Sequence, residues 1–226
     1  MKKQIVLLAA LLFVSSMAMS QNKKGPTLSI GLEVGEPLGE FNNNYNGNPV
    51  GFGLNLSLPG GLLPIEWGFD FGYASMGSNN SSVDIQDENL DITEGRMEIN
   101  SNIYAYHGTA RFKPLHGLVA PYIEGLAGLR TFSTKTKIEV DGLDEPYSTE
   151  RNAKAVTFSY GWAAGVMLNV GKVVYLEGRF EKLHGSEVEY VDQSTVEVDE
   201  DGNFTYTTKK SNTDIANIQL GMGFRF

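Results

Sequence analysis

Apolar residues alternate with small or polar ones in eight separate segments of this chain, and no other feature restricts the fold as much. A period of two places successive side chains on opposite faces of a strand, whereas a helix would need a period near 3.6. Leu28, Ile30, Leu32 and Val34 alternate with Ser29, Gly31, Glu33 and Gly35. Val50 to Leu58 and Ile65 to Tyr73 repeat the pattern, as do Tyr104 to Phe112, Phe158 to Leu168, Val174 to Glu181 and Ala216 to Phe226. The segment from Pro121 to Phe132 fits two registers. Placing Ile123, Ala127, Leu129 and Thr131 outward keeps Glu124 and Arg130 together on the other face, and that register is chosen.

The connections alternate as well. Residues 59–64, 114–120 and 169–172 are short links, while 36–49, 76–102, 133–155 and 183–212 are long and polar. Tight turns at one end and long loops at the other are the asymmetry of an even-stranded up-and-down barrel in an outer membrane. The expected fold is therefore all-β: an eight-stranded antiparallel transmembrane β-barrel with short periplasmic turns and long extracellular loops.

A soluble barrel with an apolar interior is the competing architecture. Its outer face would be crowded with Lys, Glu and Thr. Here the non-apolar face is mostly Gly, Ser, Ala and Asn, which suits an eight-stranded lumen just wide enough for side chains. Ten of the 26 glycines fall on that face: Gly31, Gly35, Gly51, Gly53, Gly68, Gly72, Gly161, Gly165, Gly221 and Gly223. The bulky face carries a single charge, Lys182, placed near the outer end of its strand where its stem can snorkel. Its aromatics divide into two belts, as at the two interfaces of a membrane. Trp67, Phe112, Phe224 and Phe226 fall near the turn ends; Tyr73, Tyr104, Tyr106, Phe158, Tyr160 and Phe180 fall toward the loops.

The first twenty residues read as an address. Lys2 and Lys3 precede an apolar run from Ile5 to Val14, followed by small residues at Ala18 and Ser20. This is the pattern of a secretory leader, with cleavage expected between Ser20 and Gln21 and a barrel domain over 21–226. None of the 226 residues is Cys, which excludes a disulfide framework and thiolate metal sites. An excess of 27 carboxylates over 18 Lys and Arg argues against nucleic acid as partner.

Taken together, these segments resemble the small eight-stranded outer-membrane barrels of the OmpA transmembrane domain and OmpX group, in the form common in Bacteroidetes-type bacteria. The resemblance covers residues 25–226 and includes the segment Leu220-Gly221-Met222-Gly223-Phe224-Arg225-Phe226. It implies that Phe226, supported by Phe224, Met222 and Leu220, is the recognition signal for the barrel-assembly machinery. No peptidoglycan-binding domain is expected after Phe226, which departs from full-length OmpA. Members of the group do unrelated things, so fold alone assigns no activity.

The inner face carries Glu33, Glu66, Asp70, Glu124, Glu177 and Glu181 with Arg111, Arg130, Arg179 and Arg225. Buried charges need partners, so these are expected to form an ion-pair network that plugs the lumen. A gated polar pathway for small solutes is the alternative. A lipid A-modifying enzyme would need a nucleophile, a His and an acid at one place. His107 with Ser159 or Ser101 is the nearest approach, without a motif, and no catalytic residue, metal or cofactor is assigned. The acidic runs 84–98 and 187–201 read as solvated loop tips, with divalent-cation binding through their carboxylates as the alternative, and Asp199 to Asn203 fails EF-hand spacing. Val196 to Tyr206 around Asp201-Gly202 reads as a hairpin, and 135–149 more weakly so. Strands five to eight are expected to continue past the bilayer as a protruding sheet, whose edge offers a surface partner a place to add a strand. The expected role is non-enzymatic: envelope integrity or surface interaction, among outer-membrane lipid and lipopolysaccharide, in a Gram-negative outer membrane with both termini periplasmic.

Overall fold

Eight strands hydrogen-bond edge to edge until the first meets the last. The computed structural model describes residues 25–45, 47–60, 63–87, 90–140, 148–191, 195, 197–198 and 204–226. In chain order its elements are β1 (Thr27–Pro37), helix α1 (Gly39–Asn44), β2 (Val50–Pro59), β3 (Ile65–Asp87), β4 (Leu90–Phe112), β5 (Val119–Val140) and β6 (Ser148–Asn169). Next come β7 (Val174–Gly185), β8 (Val188–Val191), β9 (Glu197–Val198), β10 (Phe204–Thr205), β11 (Thr208–Ser211) and β12 (Ile215–Arg225). The wall is β1 to β7 plus β12, antiparallel throughout, with β1 and β12 as the seam from Thr27↔Arg225 to Pro37↔Ile215. The fold is an eight-stranded up-and-down β-barrel. The expected leader, with Ser20 and Gln21, lies outside the described residues.

Alternation decides which side is which. Leu28, Ile30, Leu32 and Val34 are exposed on the outer face, while Ser29, Gly31 and Gly35 are buried inside. In β5, Ile123, Ala127 and Leu129 face out, and Glu124 and Arg130 are buried within. Small inward residues leave room for large ones opposite. A Cβ at Gly165 would come within 2.4 Å of the Tyr122 ring, and one at Gly223 within 2.1 Å of the Tyr175 ring. Tyr122 and Tyr175 fill that space, joined by Ala120 and Met167, near the end of the barrel where the links are short.

The wall is uneven in height. β1, β2, β7 and β12 run 10–12 residues, close to the ~9–11 that cross a bilayer when tilted. β3 to β6 run 22–23 residues. Residues 76–102 and 133–155, expected as loops, are therefore largely strand. The 76–102 segment is the far part of the β3–β4 hairpin, paired as far as Asp87↔Leu90. β4 and β5 stay paired up to Gly95↔Val140, so the tall side is one four-stranded sheet of β3 to β6. The tall sheet thus involves the third to sixth strands, and past the seventh and eighth the expected continuation is a short separate ladder of β8 and β11, paired Val188↔Ser211 to Val191↔Thr208. Between Ser75 and Ser78 the register slips around Gly77, whose φ of 107° suits a residue without a Cβ. The hairpin expected near Asp201-Gly202 is present as β9 and β10, paired Phe204↔Val198, its tip lying outside the described residues.

Candidate functional site

The lumen is where the chemistry-bearing side chains of all eight wall strands converge. Arg179 of β7 reaches across the barrel and holds three carboxylates. Its Nη1 donates to Asp70 Oδ1 at 2.6 Å, and its Nη2 to Glu124 Oε1 at 2.9 Å and Glu181 Oε2 at 2.8 Å. Glu124 is shared, because its other oxygen accepts from Arg111 Nε at 2.7 Å. Arg111 also donates to Asn55 Oδ1 at 2.9 Å, and its guanidinium lies 4.0 Å from the centroid of the Tyr122 ring. Tyr122 in turn donates to Glu177 at 2.6 Å, and Asn217 to Glu181 at 3.0 Å. Charge-assisted bonds of this length are the strong kind, and burial of both partners raises the cost of breaking one.

Of the remaining expected members, Glu33 and Arg130 border this cluster, and Glu66 and Arg225 have partners elsewhere. Glu66 pairs with Lys113 at 2.6 Å. Lys113 was not expected here, although its inward position continues the alternation Thr109, Arg111, Lys113 just past the end of β4. Arg130 donates instead to the Thr213 carbonyl and, at 3.2 Å, to its hydroxyl. Arg225 donates to Asn169 at 2.9 Å. Glu33 lies between Gln219 and Gly51 in the register, beside a cavity of about 20 Å³ that Arg130 and Glu181 also line. A space of that size holds about one water. Tyr122 shares the face of Glu124 and was legible from the chosen register; Asn55 was on the inner face but without an assigned partner.

His107 and Ser159 do meet, at 2.7 Å, but both side chains are fully buried inside the wall. His107 Nδ1 has no hydrogen-bond partner among the described residues, so no acid completes a triad there. His184 pairs with Asp214 at 3.1 Å on the other face of the wall. Among the described residues no three His, Asp or Glu side chains converge on a point suited to a cation.

Toward the loops the inner face changes character. Phe41, on α1, is wholly buried in a layer formed with Phe132, Tyr190, Met76, Ile103, Leu126, Leu183 and Ile215. Its ring lies 5.9 Å from Phe132 and 5.8 Å from Tyr190, both edge-on, and 5.8 Å from Tyr45, stacked. Burying such a ring stabilises the cap by about 2–3 kcal/mol. Two contacts tie α1 to β11 and the residue after it: Lys209 Nζ donates to the Asn44 carbonyl and the Asn212 N–H to Glu40, each at 3.3 Å. Tyr45 donates to the Met76 carbonyl. None of this cap was expected, since Leu38, Phe41 and Tyr45 are spread through a stretch rich in Asn, Gly and Pro.

Solved structures similar to this chain are distant from it in sequence. Neisserial surface protein A is 12% identical, with 89% of this chain and 97% of that one covered and a TM-score of 0.45. Ail, the attachment invasion locus protein of Yersinia pestis, is 16% identical over 90% of this chain and all of that one, at a TM-score of 0.44. A major outer membrane protein of Thermus thermophilus is 14% identical over 89% and 99% of the two chains, at 0.46. No curated protein matches in sequence. The family described as outer membrane protein beta-barrel domain matches residues 6–226. By that match this chain belongs to the outer membrane protein beta-barrel family, whose members reside in the outer membrane of Gram-negative bacteria.

Proposed function

We propose that this is a non-enzymatic barrel with a structural plug, serving envelope integrity or surface interaction through its tall extracellular sheet and loops. The observation that carries the reading is the lumen itself. Arg179 and Arg111 knit carboxylates from β3, β5 and β7 into one buried cluster, and the Phe41 layer closes the space above it. Eight strands leave no free bore beside that many side chains. Purified protein in a planar bilayer should give no steady conductance steps; discrete, lasting steps would establish the solute channel instead. His107 and Ser159 are sealed beneath the cap, so His107→Ala should leave lipid A unaltered relative to wild type, and a changed lipid would reinstate an enzyme.

The orientation follows from the same reading: turns and both ends of the barrel in the periplasm, loops outside. Outer-membrane lipid and lipopolysaccharide then surround the apolar face. Leu220, Met222, Phe224 and Phe226 are all exposed on that face, which supports their role as the signal for the barrel-assembly machinery. Sequencing the mature N-terminus should begin at Gln21. Crosslinking in intact cells from Glu189 or Tyr206, both exposed, should capture a surface partner if interaction is the role.

A further inference from the structure

The lipid-facing wall is bulky along most of its strands and carries a depression on β4 to β6. On β4 and β5 the outward residues are Gly108, Ala110, Gly125 and Ala127, paired Gly108↔Ala127 and Ala110↔Gly125. A Cβ at Gly125 would meet nothing within 4 Å. The result is an apolar groove of about 400 Å³ bounded by Phe112 and Ile123 on one side and Trp162 on the other. That volume lies within the ~300–1,000 Å³ typical of small-molecule sites.

Register places a cation one strand beyond Trp162, the residue that bounds this groove. Trp162 pairs with Gly125 on one side and with Lys182 on the other. The row Lys182, Trp162, Gly125, Ala110, Trp67, Leu58 runs straight across five neighbouring ladders. Lys182 stands near the loop end of β7, whereas Trp67 and Leu58 stand at the turn ends of β3 and β2. The row therefore descends from the outer interface toward the opposite one, and the groove lies along it below Lys182. Lys182 forms no hydrogen bond or ion pair among the described residues. Asp214, on the same face of the neighbouring β12 side, is already engaged by His184 Nδ1 and the Gly185 N–H, each at 3.1 Å.

We propose that the outer wall of β4 to β7 binds an anionic acyl lipid, its tail in the groove beside Trp162 and its headgroup phosphate on Lys182. The inference rests on reading this face as the one in lipid. An ammonium at the hydrocarbon edge gains most from an anion brought to it in the same layer, where water is scarce and Coulomb attraction is less screened. The groove supplies the second half of recognition, because a tail lying there recovers dispersion contacts that a smooth wall of small residues would forgo. A neutral lipid with the same tails shares the groove but not the cation.

The test reads Trp162 directly. Full-length protein carrying Trp67→Phe is folded in detergent and titrated with phosphatidic acid bearing brominated tails, or with diacylglycerol bearing the same tails. Phosphatidic acid should half-quench the fluorescence at a mole fraction about fivefold lower, the worth of one lysine near an anionic surface. Lys182→Ala should abolish that difference and Lys182→Arg should keep it. Gly125→Leu, which fills open space, should raise the requirement for both lipids. Equal quenching by the two lipids, or a preference that survives Lys182→Ala, would overturn the proposal. So would a dimer that Gly125→Leu dissolves, since a second copy would then be the occupant. A heat-dependent gel shift certifies that each variant is folded. Conductance through the lumen is independent of all these readings, so failure here leaves the plug standing, and the reverse.

Discussion

The proposed plug has two seals, and the two are built differently. The middle of the lumen is closed by charge, with Arg111 and Arg179 holding Asp70, Glu124, Glu177 and Glu181. Every one of those groups lies on a wall strand, so the register that forms the barrel also forms the seal. The loop end is closed by apolar rings, and three of them come from connections: Phe41 from α1, Tyr45 just after it and Tyr190 from β8. In the first seal every partner is anchored on a strand of the wall. The second draws on connections, held by packing and by contacts from Leu38 to Asp214 and from α1 and Tyr45 to β11, Asn212 and Met76, so it should come apart while the wall stands. Rigidity here follows from where in the chain a residue resides, more than from how deeply it is buried.

Mutations in each seal separate the two. The largest effect is expected from Arg179→Met, which leaves three buried carboxylates without their shared partner and should cost ~3–5 kcal/mol. Urea unfolding followed by the gel shift measures it, and a wild-type midpoint would refute the charge seal. Phe41→Ala should remove about 3 kcal/mol from the cap but leave the barrel's unfolding midpoint nearly unchanged. Its signature is faster proteolysis in the segment 38–49; an equal loss of global stability would show the two seals to be one. Gly223→Val tests the turn end, where a side chain must displace the Tyr175 ring, and should destabilise by ~1–3 kcal/mol. The smallest effect is expected at the surface. Glu187 lies 2.6 Å from Lys210 and holds its ammonium above the ordinary lysine range. Both side chains are more than half exposed, so Lys210→Ala should leave the unfolding midpoint unmoved.

Legibility in the sequence followed the contrast between the two faces. Where a strand has lipid on one side and a crowded lumen on the other, every residue reports its side. Phe158 to Leu168 is the plainest case, and in β5 the placing of Glu124 with Arg130 was enough to settle the register. Beyond the bilayer that contrast fades. Ser78, Asn79, Asn80, Ser81 and Ser82 form strand although nothing in them alternates. α1 is six residues long and has no side-chain cap bond, so no helix signal precedes Phe41. Pairing within the lumen was less legible than membership. Arg179 meets Asp70 from the far side of the barrel, a meeting set by tilt and shear rather than by spacing along the chain. Arg130 and Arg225 read as partners for carboxylates for the same reason, and geometry gave them carbonyl, hydroxyl and amide oxygens instead.

The seam carries a consequence of its own, in time rather than in space. The cylinder's last ladder joins residues 27–37 to residues 215–225. No earlier fragment of the chain can complete the ring, however many hairpins it has formed. Contacts of such long sequence separation form slowly, and an unclosed sheet offers bare edges to other chains. The ring therefore shuts only once both of its ends are present, and until then the edges of β1 and β12 stay open to pairing with other chains.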